Sequence, residues 1–384
     1  MKIVSKYKIV LNCKTLSSNT NGIGQYIKNL GQSLDKLKKI DSFFFYGSYF
    51  SKKFYIPKKK KSLNNIIRDY LPFSYELREF IHGYFFDKGN RKNKIKFYHE
   101  PSILPLPFKG LTIITVHDLS WILYPHLHPH KRTKYLTNLF ANKIERASSI
   151  ITDSKFIKNQ IVNTFNISET NIHTIALGID DDYKPRKEDE VLHTLKKFNL
   201  HYDKFFLYLG TIEPRKNLID MIEGYIKLPF KIRSSFPLVI VGGFGWNDRK
   251  NNFDLKNYIE NNPIYWIKYQ SKNIVSDLIS SARLLIYPSF YEGFGFPPLE
   301  AMKSNTPVLC SNIPTLKEIL KDYVIYAENG NIETFTNAMK FISTLEKNKN
   351  KSLEKARNYS NTFTWKNCVT KTFNLYHKHF KLYS

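Results

Sequence analysis

An alternation of short apolar runs with amphipathic stretches repeats along the whole chain and limits the possible folds most strongly. A first series of strand-like runs covers residues 8–13, 42–47, 96–100, 111–118, 149–154 and 173–179, and a second covers 205–210, 237–243, 264–269, 283–289, 307–311 and 323–328. Nearly continuous apolar strands that alternate with helices are typical of parallel sheets covered on both faces. The pattern predicts an α/β chain with two doubly wound, Rossmann-like domains.

The length agrees with two domains, because 384 residues exceed what one hydrophobic core usually serves. We predict a first domain over residues 1–182, a second over 183–364 and a final helix over 365–384. The charged segment 180–203, which carries Pro185, is the predicted linker.

Cysteine and hydropathy patterns indicate the compartment. Cys13, Cys310 and Cys368 are far apart and form no C-x-x-C pair, so the sequence predicts neither a disulfide framework nor a thiolate zinc site. No run of 18 uncharged apolar residues occurs, so neither a signal peptide nor a membrane span is expected. A reducing cytoplasm fits best.

Basic residues dominate the charge, which is +26 overall. Residues 1–180 hold 29 basic and 12 acidic residues, and the excess is densest from Lys52 to Lys96, including Lys58 to Lys61. Such a surface attracts polyanions, among which nucleic acid, an anionic bilayer and a phosphorylated substrate all qualify. Motifs for nucleic-acid recognition are missing, so we expect no nucleic-acid partner.

Two adjacent cations follow the first strand of the second series. Arg215 and Lys216 come after the run LYLG, and a helix is predicted from Asn217. In open parallel sheets ligands bind outside the carboxyl ends of the strands, and free amides at a helix start favour anions. The pair predicts a diphosphate site, although two solvated loop charges would give the same pattern.

A glycine-rich loop with a carboxylate at each end follows the run RLLIYPS. Pro298 suits the first helical position, which would place Glu300 in the first helical turn and Glu292 before the helix. Gly293 and Gly295 permit close approach of a ligand, and carboxylates accept hydrogen bonds from vicinal hydroxyls of a sugar or ribose. The loop indicates carbohydrate-nucleotide chemistry.

The first half carries weaker signals at two strand ends. Gly22 and Gly24 form a glycine-rich turn before a helix but lack a full G-x-G-x-x-G. His117 and Asp118 end an apolar strand where it would open to a cleft, so they can orient a sugar hydroxyl or simply cap the strand.

Two acidic sites are interpreted as structural. The run Asp180-Asp181-Asp182 resembles a metal-binding D-x-D, but it follows LGI at the predicted crossover and is interpreted as a turn. Asp153 is interpreted as the N-cap of the helix SKFIKNQIV. We therefore predict no metal site.

Taken together, the runs YLGTIEPRKNL, YPSFYEGFGFPPLEAM with its E-x7-E, ITDSKFIKNQI and LGID resemble family 4 glycosyltransferases of the GT-B fold over nearly the whole chain. Bacterial mannosyltransferase-like enzymes of O-antigen and polysaccharide assembly are the most similar. The final stretch TWKNCVTKTFNLYHKHF resembles the terminal helix that in this fold packs back on the first domain. The basic segment from about Lys52 to Lys94 matches nothing specific in that family.

The resemblance implies a role for each of the predicted site residues. It assigns the diphosphate to Arg215 and Lys216, the ribose hydroxyls to Glu300, hydroxyls of the donor sugar to Glu292, and the neighbourhood of the reacting centre to His117. Asp118 would orient the sugar or shape the acceptor site. The remaining donor-binding positions that it implies are Gly22, Gly24, Gly210, Gly293, Phe294 and Gly295.

The implied reaction is a retaining, metal-independent transfer of a hexose from a nucleoside diphosphate sugar, with no cofactor. GDP-mannose is favoured. UDP- or dTDP-linked GlcNAc, glucose or rhamnose stays open, because base recognition depends on loops such as 242–248 and because Phe296 departs from many relatives. The implied acceptor is a saccharide, with a polyprenyl-diphosphate-linked one as the candidate, which would bring the enzyme to the anionic inner leaflet of the cytoplasmic membrane. An epimerase of the same fold is disfavoured by Arg215-Lys216 and the E-x7-E.

Overall fold

A computed structural model describes residues 7–17, 22–37, 40–57, 74–245, 255–345 and 351–382. The first seven strands are β1 Tyr7–Asn12, β2 Ile40–Phe45, β3 Phe50–Ser51, β4 Phe97–Glu100, β5 Leu111–Val116, β6 Ser149–Thr152 and β7 Ile172–Thr174. The following six are β8 Phe206–Leu209, β9 Leu238–Val241, β10 Ile264–Ile267, β11 Leu284–Tyr287, β12 Val308–Ser311 and β13 Ile325–Ala327.

Helices separate most of these strands. Those before β8 are α1 Gly22–Lys36, α2 Ser74–Asn93, α3 Ser120–Leu123, α4 His130–Ile144, α5 Lys155–Phe165 and α6 Glu188–Lys197. Those after it are α7 Leu218–Ile226, α8 Phe230–Ser235, α9 Leu255–Asn261, α10 Lys272–Ser281, α11 Phe296–Lys303, α12 Pro314–Leu320, α13 Ile332–Thr344, α14 Lys351–Ser360 and α15 Trp365–Leu382.

The strands form two separate sheets, as the two apolar series predict. The first has the order β3-β2-β1-β4-β5-β6-β7, parallel except for the short β3, and the second has the order β10-β9-β8-β11-β12-β13, parallel throughout. In each sheet the strand order reverses once, between β1 and β4 and between β8 and β11. A crevice forms outside the carboxyl ends of the strands at such a reversal.

Apolar strand residues face both layers of helices. All four residues of β9 and of β11 are buried, as expected for central strands covered on two faces. The three cysteines are buried and free.

The predicted linker 180–203 contains a helix. Its middle forms α6, whose buried Val191 and Leu195 face the second domain and whose Thr194 hydroxyl donates to Asp277 of α10. A charged helix with three acidic residues in its first turn is stabilised by the helix dipole, so the high charge of the segment did not indicate a loop. The boundaries after residues 182 and 364 stay predictions.

The last helix completes the core of the first domain. Phe380 of α15 stacks on Tyr7 of β1 with ring centroids 4.2 Å apart, and Tyr376 hydrogen-bonds His99 of β4 through its hydroxyl. At the helix start the Trp365 Nε1 donates to Asp180 Oδ1 over 2.7 Å. The return of the final helix to the first domain is therefore confirmed.

Candidate active site

A cavity of about 540 Å³ lies between the two sheets and is lined by residues from the carboxyl ends of both. Every predicted site residue except Gly24 contributes to its lining.

The two glycine positions differ because α1 begins at Gly22, so Gly22 lies at the cavity while Gly24 is buried within the helix. The predicted turn is thus the first turn of a helix. A β-carbon on Gly22 would lie 2.9 Å from the ring of Phe296 across the cleft, so the first domain approaches closely there.

The cations after β8 are bound to carboxylates. Arg215 Nη1 donates to Glu292 Oε2 over 3.0 Å and its Nη2 to Glu213 Oε1 over 2.8 Å. Lys216 Nζ donates to Glu292 Oε1 over 2.6 Å and to the Tyr287 hydroxyl over 3.0 Å. The loops after β8 and β11, the two strands at the reversal of the second sheet, therefore meet in one cluster of two cations and two anions.

Neighbouring charges keep Glu292 and Arg215 ionised. Burial alone would raise the pKa of Glu292, but the adjacent Lys216 ammonium and Arg215 guanidinium outweigh it and hold that pKa at about 2. Burial would likewise lower the pKa of Arg215, and the carboxylates of Glu292 and Glu213 raise it instead. Both carboxylate oxygens of Glu292 already accept hydrogen bonds from cations. A sugar hydroxyl that contacts this carboxylate would therefore share an oxygen with Arg215 or Lys216.

Sequence reasoning missed Glu213 and Tyr287. Glu213 lies two residues before Arg215 in the same loop, and an acidic residue beside a predicted cation pair is a signal that could have identified it. Tyr287 ends β11, and its contact with Lys216 depends on the pairing of β8 with β11, which the sequence does not show.

The glycine loop approaches the first domain closely. A β-carbon on Gly293 would lie 1.8 Å from the carbonyl oxygen of His117, so any larger residue would separate the domains there. Gly295 has a φ of +95° and is the N-cap of α11. The helix begins at Phe296, two residues before the predicted Pro298, because the left-handed glycine ends the loop earlier. Glu300 consequently lies in the second helical turn, and its predicted place in the first turn is wrong.

Glu300 lies at the cavity in surroundings unlike those of Glu292. Tyr183 hydrogen-bonds its carboxylate, Lys272 lies nearby, and burial raises its pKa to about 7. Tyr183 and Lys272 also line the cavity. Neither was predicted, since no local motif connects them to Glu300.

His117 is held by the first domain through both ring nitrogens. Nδ1 donates to Asp153 Oδ2 over 2.6 Å and Nε2 donates to the carbonyl oxygen of Pro101 over 3.1 Å. Burial lowers the pKa of His117, but the Asp153 carboxylate outweighs it and raises that pKa above the ordinary value. The interpretation of Asp153 as an N-cap is wrong. Ser154 is the N-cap of α5, since its hydroxyl accepts from the Ile157 amide, and its extended backbone frees the preceding aspartate to reach His117.

Asp118 is also at the cavity and has a local structural role. Its Oδ1 accepts from the amide of Ser120 over 2.9 Å and from the hydroxyl of Ser120 over 2.7 Å, at the start of α3. Trp121 and His128, from the same part of the first domain, line the cavity as well and were not predicted. On the opposite side, Tyr269 lines it after β10.

The aspartate triplet is paired with lysines. Lys272 contacts Asp180 and Asp182, and Lys303 Nζ donates to Asp181 Oδ1 over 2.8 Å. Among the residues that the structure describes, no group of three or more His, Cys, Asp or Glu side chains is arranged to hold a metal ion.

Direct contacts join the two domains around the cavity. Glu318 of α12 accepts from the amides of Lys155 and Phe156, the first residues of α5, over 2.7 and 2.8 Å. The Tyr291 hydroxyl accepts from the amide of Leu119 and donates to Gln160. These contacts join residues of the first domain to α12 and to the loop after β11 in the second.

Two α/β sheets that enclose such a cleft, with a final helix returned to the first domain, define the GT-B fold. Sucrose-phosphate synthase from Thermosynechococcus elongatus has the same fold, with a TM-score of 0.76 over 98% of this chain and 100% of that one at 18% identity.

Sequence comparisons then identify the family. The group 1 glycosyl transferase family matches residues 194–361. O-antigen chain mannosyltransferase B from Escherichia coli is 30% identical over 96% of this chain and 99% of its own length. O-antigen chain mannosyltransferase RfbU from Salmonella typhimurium is 30% identical over 67% of this chain and 66% of its own length. The chain belongs to the group 1 glycosyl transferases, which confirms the predicted resemblance.

Helix length and hydropathy bear on whether the chain could enter a bilayer. None of the helices within the described ranges is both long and apolar enough to cross one.

Proposed function

We propose that the protein transfers a mannosyl residue from GDP-mannose to a growing O-antigen saccharide, with retention of configuration at the anomeric carbon. The carrying observation is the buried cluster of Arg215 and Lys216, which two carboxylates hold at the carboxyl end of β8 inside the cleft. The names of the two O-antigen mannosyltransferase relatives support mannose and the O-antigen.

The cation pair is suited to a diphosphate. Both side chains are largely buried, so their charges act in surroundings of low polarity where electrostatic interactions are strong. Glu213 and Glu292 fix their positions, so little reorganisation is needed when charge develops on the departing phosphate. Two fixed cations supply the charge that a divalent metal would otherwise supply, which supports a metal-independent reaction.

The rest of the donor would follow the cavity from this cluster. We assign the ribose hydroxyls to Glu300, because its carboxylate reaches the cavity beside Tyr183 and Lys272. The exposed ring of Tyr269 also lines the cavity, and we assign it to contact with the nucleobase. Residues 246–248 of the predicted base-recognition loop lie outside the described residues.

The acceptor would approach from the first domain. His117, Asp118 and Trp121 line that side of the cavity. Both ring nitrogens of His117 are bound to acceptors within the protein, so its imidazole is a poor proton acceptor in this arrangement. This geometry favours a front-face reaction, in which the departing phosphate oxygen takes the proton of the acceptor hydroxyl.

We further propose that the acceptor saccharide is carried on a polyprenyl diphosphate, and that the cytoplasmic enzyme meets the anionic inner leaflet of the membrane. The basic excess of residues 1–180 supports this, because lysines and arginines near an anionic surface attract it. Lys58 to Lys61, the densest part of the predicted basic surface, lie outside the described residues.

The donor is tested by incubating the enzyme with radiolabelled GDP-mannose, UDP-glucose, UDP-GlcNAc and dTDP-rhamnose and a membrane extract that carries lipid-linked saccharides. We expect label in the lipid-linked fraction from GDP-mannose alone, with an α-configuration by product analysis, and unchanged transfer after chelation of divalent ions. Label from a UDP- or dTDP-sugar alone would establish the alternative donor and refute mannose. Label from no donor would refute the transferase proposal.

Replacement of Lys216 by alanine should reduce transfer by at least about 100-fold, the usual effect of losing one oriented stabilising group. The measurement is the initial rate at saturating donor. Lys231→Ala serves as the matched control, because Lys231 is exposed on the same domain. Equal rates for the two variants would contradict the site assignment.

A further inference from the structure

A series of buried polar side chains connects the last helix to the core of the first domain. The Tyr376 hydroxyl of α15 hydrogen-bonds His99 Nδ1, and His99 Nε2 hydrogen-bonds Thr115 Oγ1 of β5 over 2.8 Å. Thr115 Oγ1 in turn lies 3.2 Å from the Tyr26 hydroxyl of α1, to which it is hydrogen-bonded. All four side chains are buried. We call Tyr376, His99, Thr115 and Tyr26 the buried chain.

The buried chain ends against His117. The ring centroids of Tyr26 and His117 lie 5.3 Å apart, and the angle between the ring planes is 84°. Hydrogen bonds to Asp153 and to the carbonyl oxygen of Pro101 hold the two ring nitrogens of His117. These two bonds do not by themselves prevent a tilt of the ring about the line that joins its nitrogens. The edge-to-face contact with Tyr26 restricts that tilt.

His99 connects the two halves of the buried chain as a neutral imidazole. Burial and the nearby positive charge of His117 lower the pKa of His99 to about 3, so the ring is uncharged at neutral pH. A neutral imidazole donates from one nitrogen and accepts at the other. The loss of the hydroxyl of Tyr376 or of Thr115 would therefore leave a buried ring nitrogen of His99 without its partner, which disturbs the rest of the network.

Packing of the last helix does not require these polar groups. Phe380 stacks on Tyr7 of β1, and the ring of Tyr376 packs against Phe97 of β4 with centroids 5.2 Å apart. Replacing both partners of a buried hydrogen bond by apolar groups of the same shape is often nearly neutral for stability. A fully hydrogen-bonded network instead selects one arrangement of its side chains. The buried chain is therefore suited to fixing positions.

Helix α15 begins at the cleft. Trp365, its first residue, lines the cavity, and its ring centroid lies 6.1 Å from that of Phe296, the first residue of α11. Tyr376 lies about three helical turns further along. The helix therefore joins the start of α11 in the second domain to the buried chain in the first.

We propose that the buried chain positions the ring of His117 beside the reacting centre, so that the last helix sets the geometry of the acceptor side of the cleft. Its four members act as positioning residues, because none of the four lines the cavity. This inference rests on the proposed function for the place of the reacting centre near His117.

The first test compares Tyr376→Phe with Tyr225→Phe. Each variant loses one buried tyrosine hydroxyl, and that of Tyr225 donates to main-chain carbonyl oxygens of the second domain, which makes it the matched control. Transfer is measured from radiolabelled GDP-mannose to the lipid-linked saccharides of a membrane extract. We expect Tyr376→Phe to lower the apparent kcat by about tenfold and to keep the donor KM within about twofold, because a small displacement near the reacting atoms slows the reaction. Tyr225→Phe should keep the wild-type kcat.

A second pair of variants changes the middle of the buried chain. Thr115→Val keeps the shape of the side chain and removes the hydroxyl between His99 and Tyr26, so the apparent kcat should again fall by about tenfold. Thr115→Ser keeps the hydroxyl and should restore kcat to within about threefold of the wild type. A serine variant as slow as the valine variant would contradict the proposal. If Thr115→Val does not fold, the comparison of Tyr376→Phe with Tyr225→Phe decides.

A spectroscopic readout follows His117 in the free protein. With ¹⁵N-labelled histidine, the ring proton that His117 donates to Asp153 gives a signal that a His117→Gln protein should lack. We expect this signal to shift or broaden in Tyr376→Phe and Thr115→Val and to stay unchanged in Tyr225→Phe. An unchanged signal and an unchanged kcat in Tyr376→Phe would overturn the proposal, because the buried chain would then serve only to pack α15. A change in only one of the two quantities would overturn it as well.

Failure of this inference is distinguishable from failure of the proposed function. The ring signal of His117 is measured without donor or acceptor. A wild type that transfers no mannose would refute the proposed reaction and with it the effect on transfer. The ring signals of Tyr376→Phe and Tyr225→Phe would still decide whether the buried chain holds the ring of His117.

Discussion

Buried charge dominates the chemistry of single residues in the cleft. Glu213 and Glu292 are 3% and 8% exposed in their side chains, and each contacts a cation over 3.0 Å or less. A buried charge that loses its partner is strongly destabilising, so these carboxylates and cations depend on one another. A diphosphate that enters this cluster meets cations whose positions are already set.

Glu300→Gln should stabilise the free protein and weaken donor binding. Burial raises the pKa of Glu300 to about 7. A carboxyl group with a raised pKa in the folded state does not destabilise the protein at a pH below its unfolded pKa of about 4.3. Its destabilising effect is largest at a pH above the folded pKa. The destabilisation therefore develops between about pH 4.3 and 7, and its size is on the order of a few kcal/mol.

Urea unfolding at pH 4 and pH 8 checks this prediction, together with calorimetric titration of the donor. The glutamine variant should gain stability at pH 8 and little at pH 4, while the donor Kd rises because an amide offers one acceptor oxygen. Glu145→Gln, an exposed carboxylate of the first domain, should change neither quantity. Parallel stability profiles for the wild type and Glu300→Gln would contradict the prediction.

Helix α5 is capped partly from the other domain. Its own N-cap is Ser154, but the amides of Lys155 and Phe156 donate to Glu318 of α12. A carboxylate at a helix N-terminus satisfies free amides and interacts favourably with the helix dipole. The Glu318 carboxylate therefore stabilises both α5 of the first domain and the contact between the two domains.

Glu318→Ala should loosen both features. We expect faster hydrogen exchange at the amides of Lys155 and Phe156, a loss of about 1 kcal/mol in stability, and a larger radius of gyration in solution scattering. Glu354→Gln, an exposed acid in α14, is the control and should leave exchange in α5 unchanged. Unaltered protection of the two amides in Glu318→Ala would show that the contact does not hold in solution.

The positions of the strands were predictable from the sequence, whereas the start of α11 and the presence of α6 were not. Both series of apolar runs became strands, because central parallel strands are apolar on both faces and carry a continuous signal. The start of α11 was displaced by two residues, since the left-handed Gly295 and not the proline ends the loop. The helix α6 was missed because its surface is charged over most of its length.

At the scale of the whole molecule, the stability of the first domain depends on α15, the last helix of the chain. Tyr376 and Phe380 of α15 are buried against the first sheet, where they contact Phe97 and Tyr7, although they follow the second sheet in sequence. Each large side chain contributes about 1.5–3 kcal/mol when buried, and total stabilities are about 5–15 kcal/mol.

A chain ended at residue 364 should therefore lose the fold of its first domain and keep that of the second. We expect early proteolysis within residues 1–180 and a single remaining unfolding transition by calorimetry. Tyr376→Phe is the control, because it keeps the ring and removes only the hydrogen bond to His99, so its first domain should stay folded. A truncated protein that still shows a separate unfolding transition for each domain would contradict this account.

The amino-acid sequence by itself determined the local chemistry of this protein. The strand series, the cation pair and the E-x7-E loop follow from patterns within short stretches of chain, since periodicity, glycine and adjacent charges act over a few residues. Pairings between distant segments were decided only by the tertiary structure. Asp153 with His117, Tyr183 with Glu300 and Glu318 with α5 join residues that lie 36 or more positions apart. No local pattern encodes such contacts, because sheet packing and domain closure bring those side chains together.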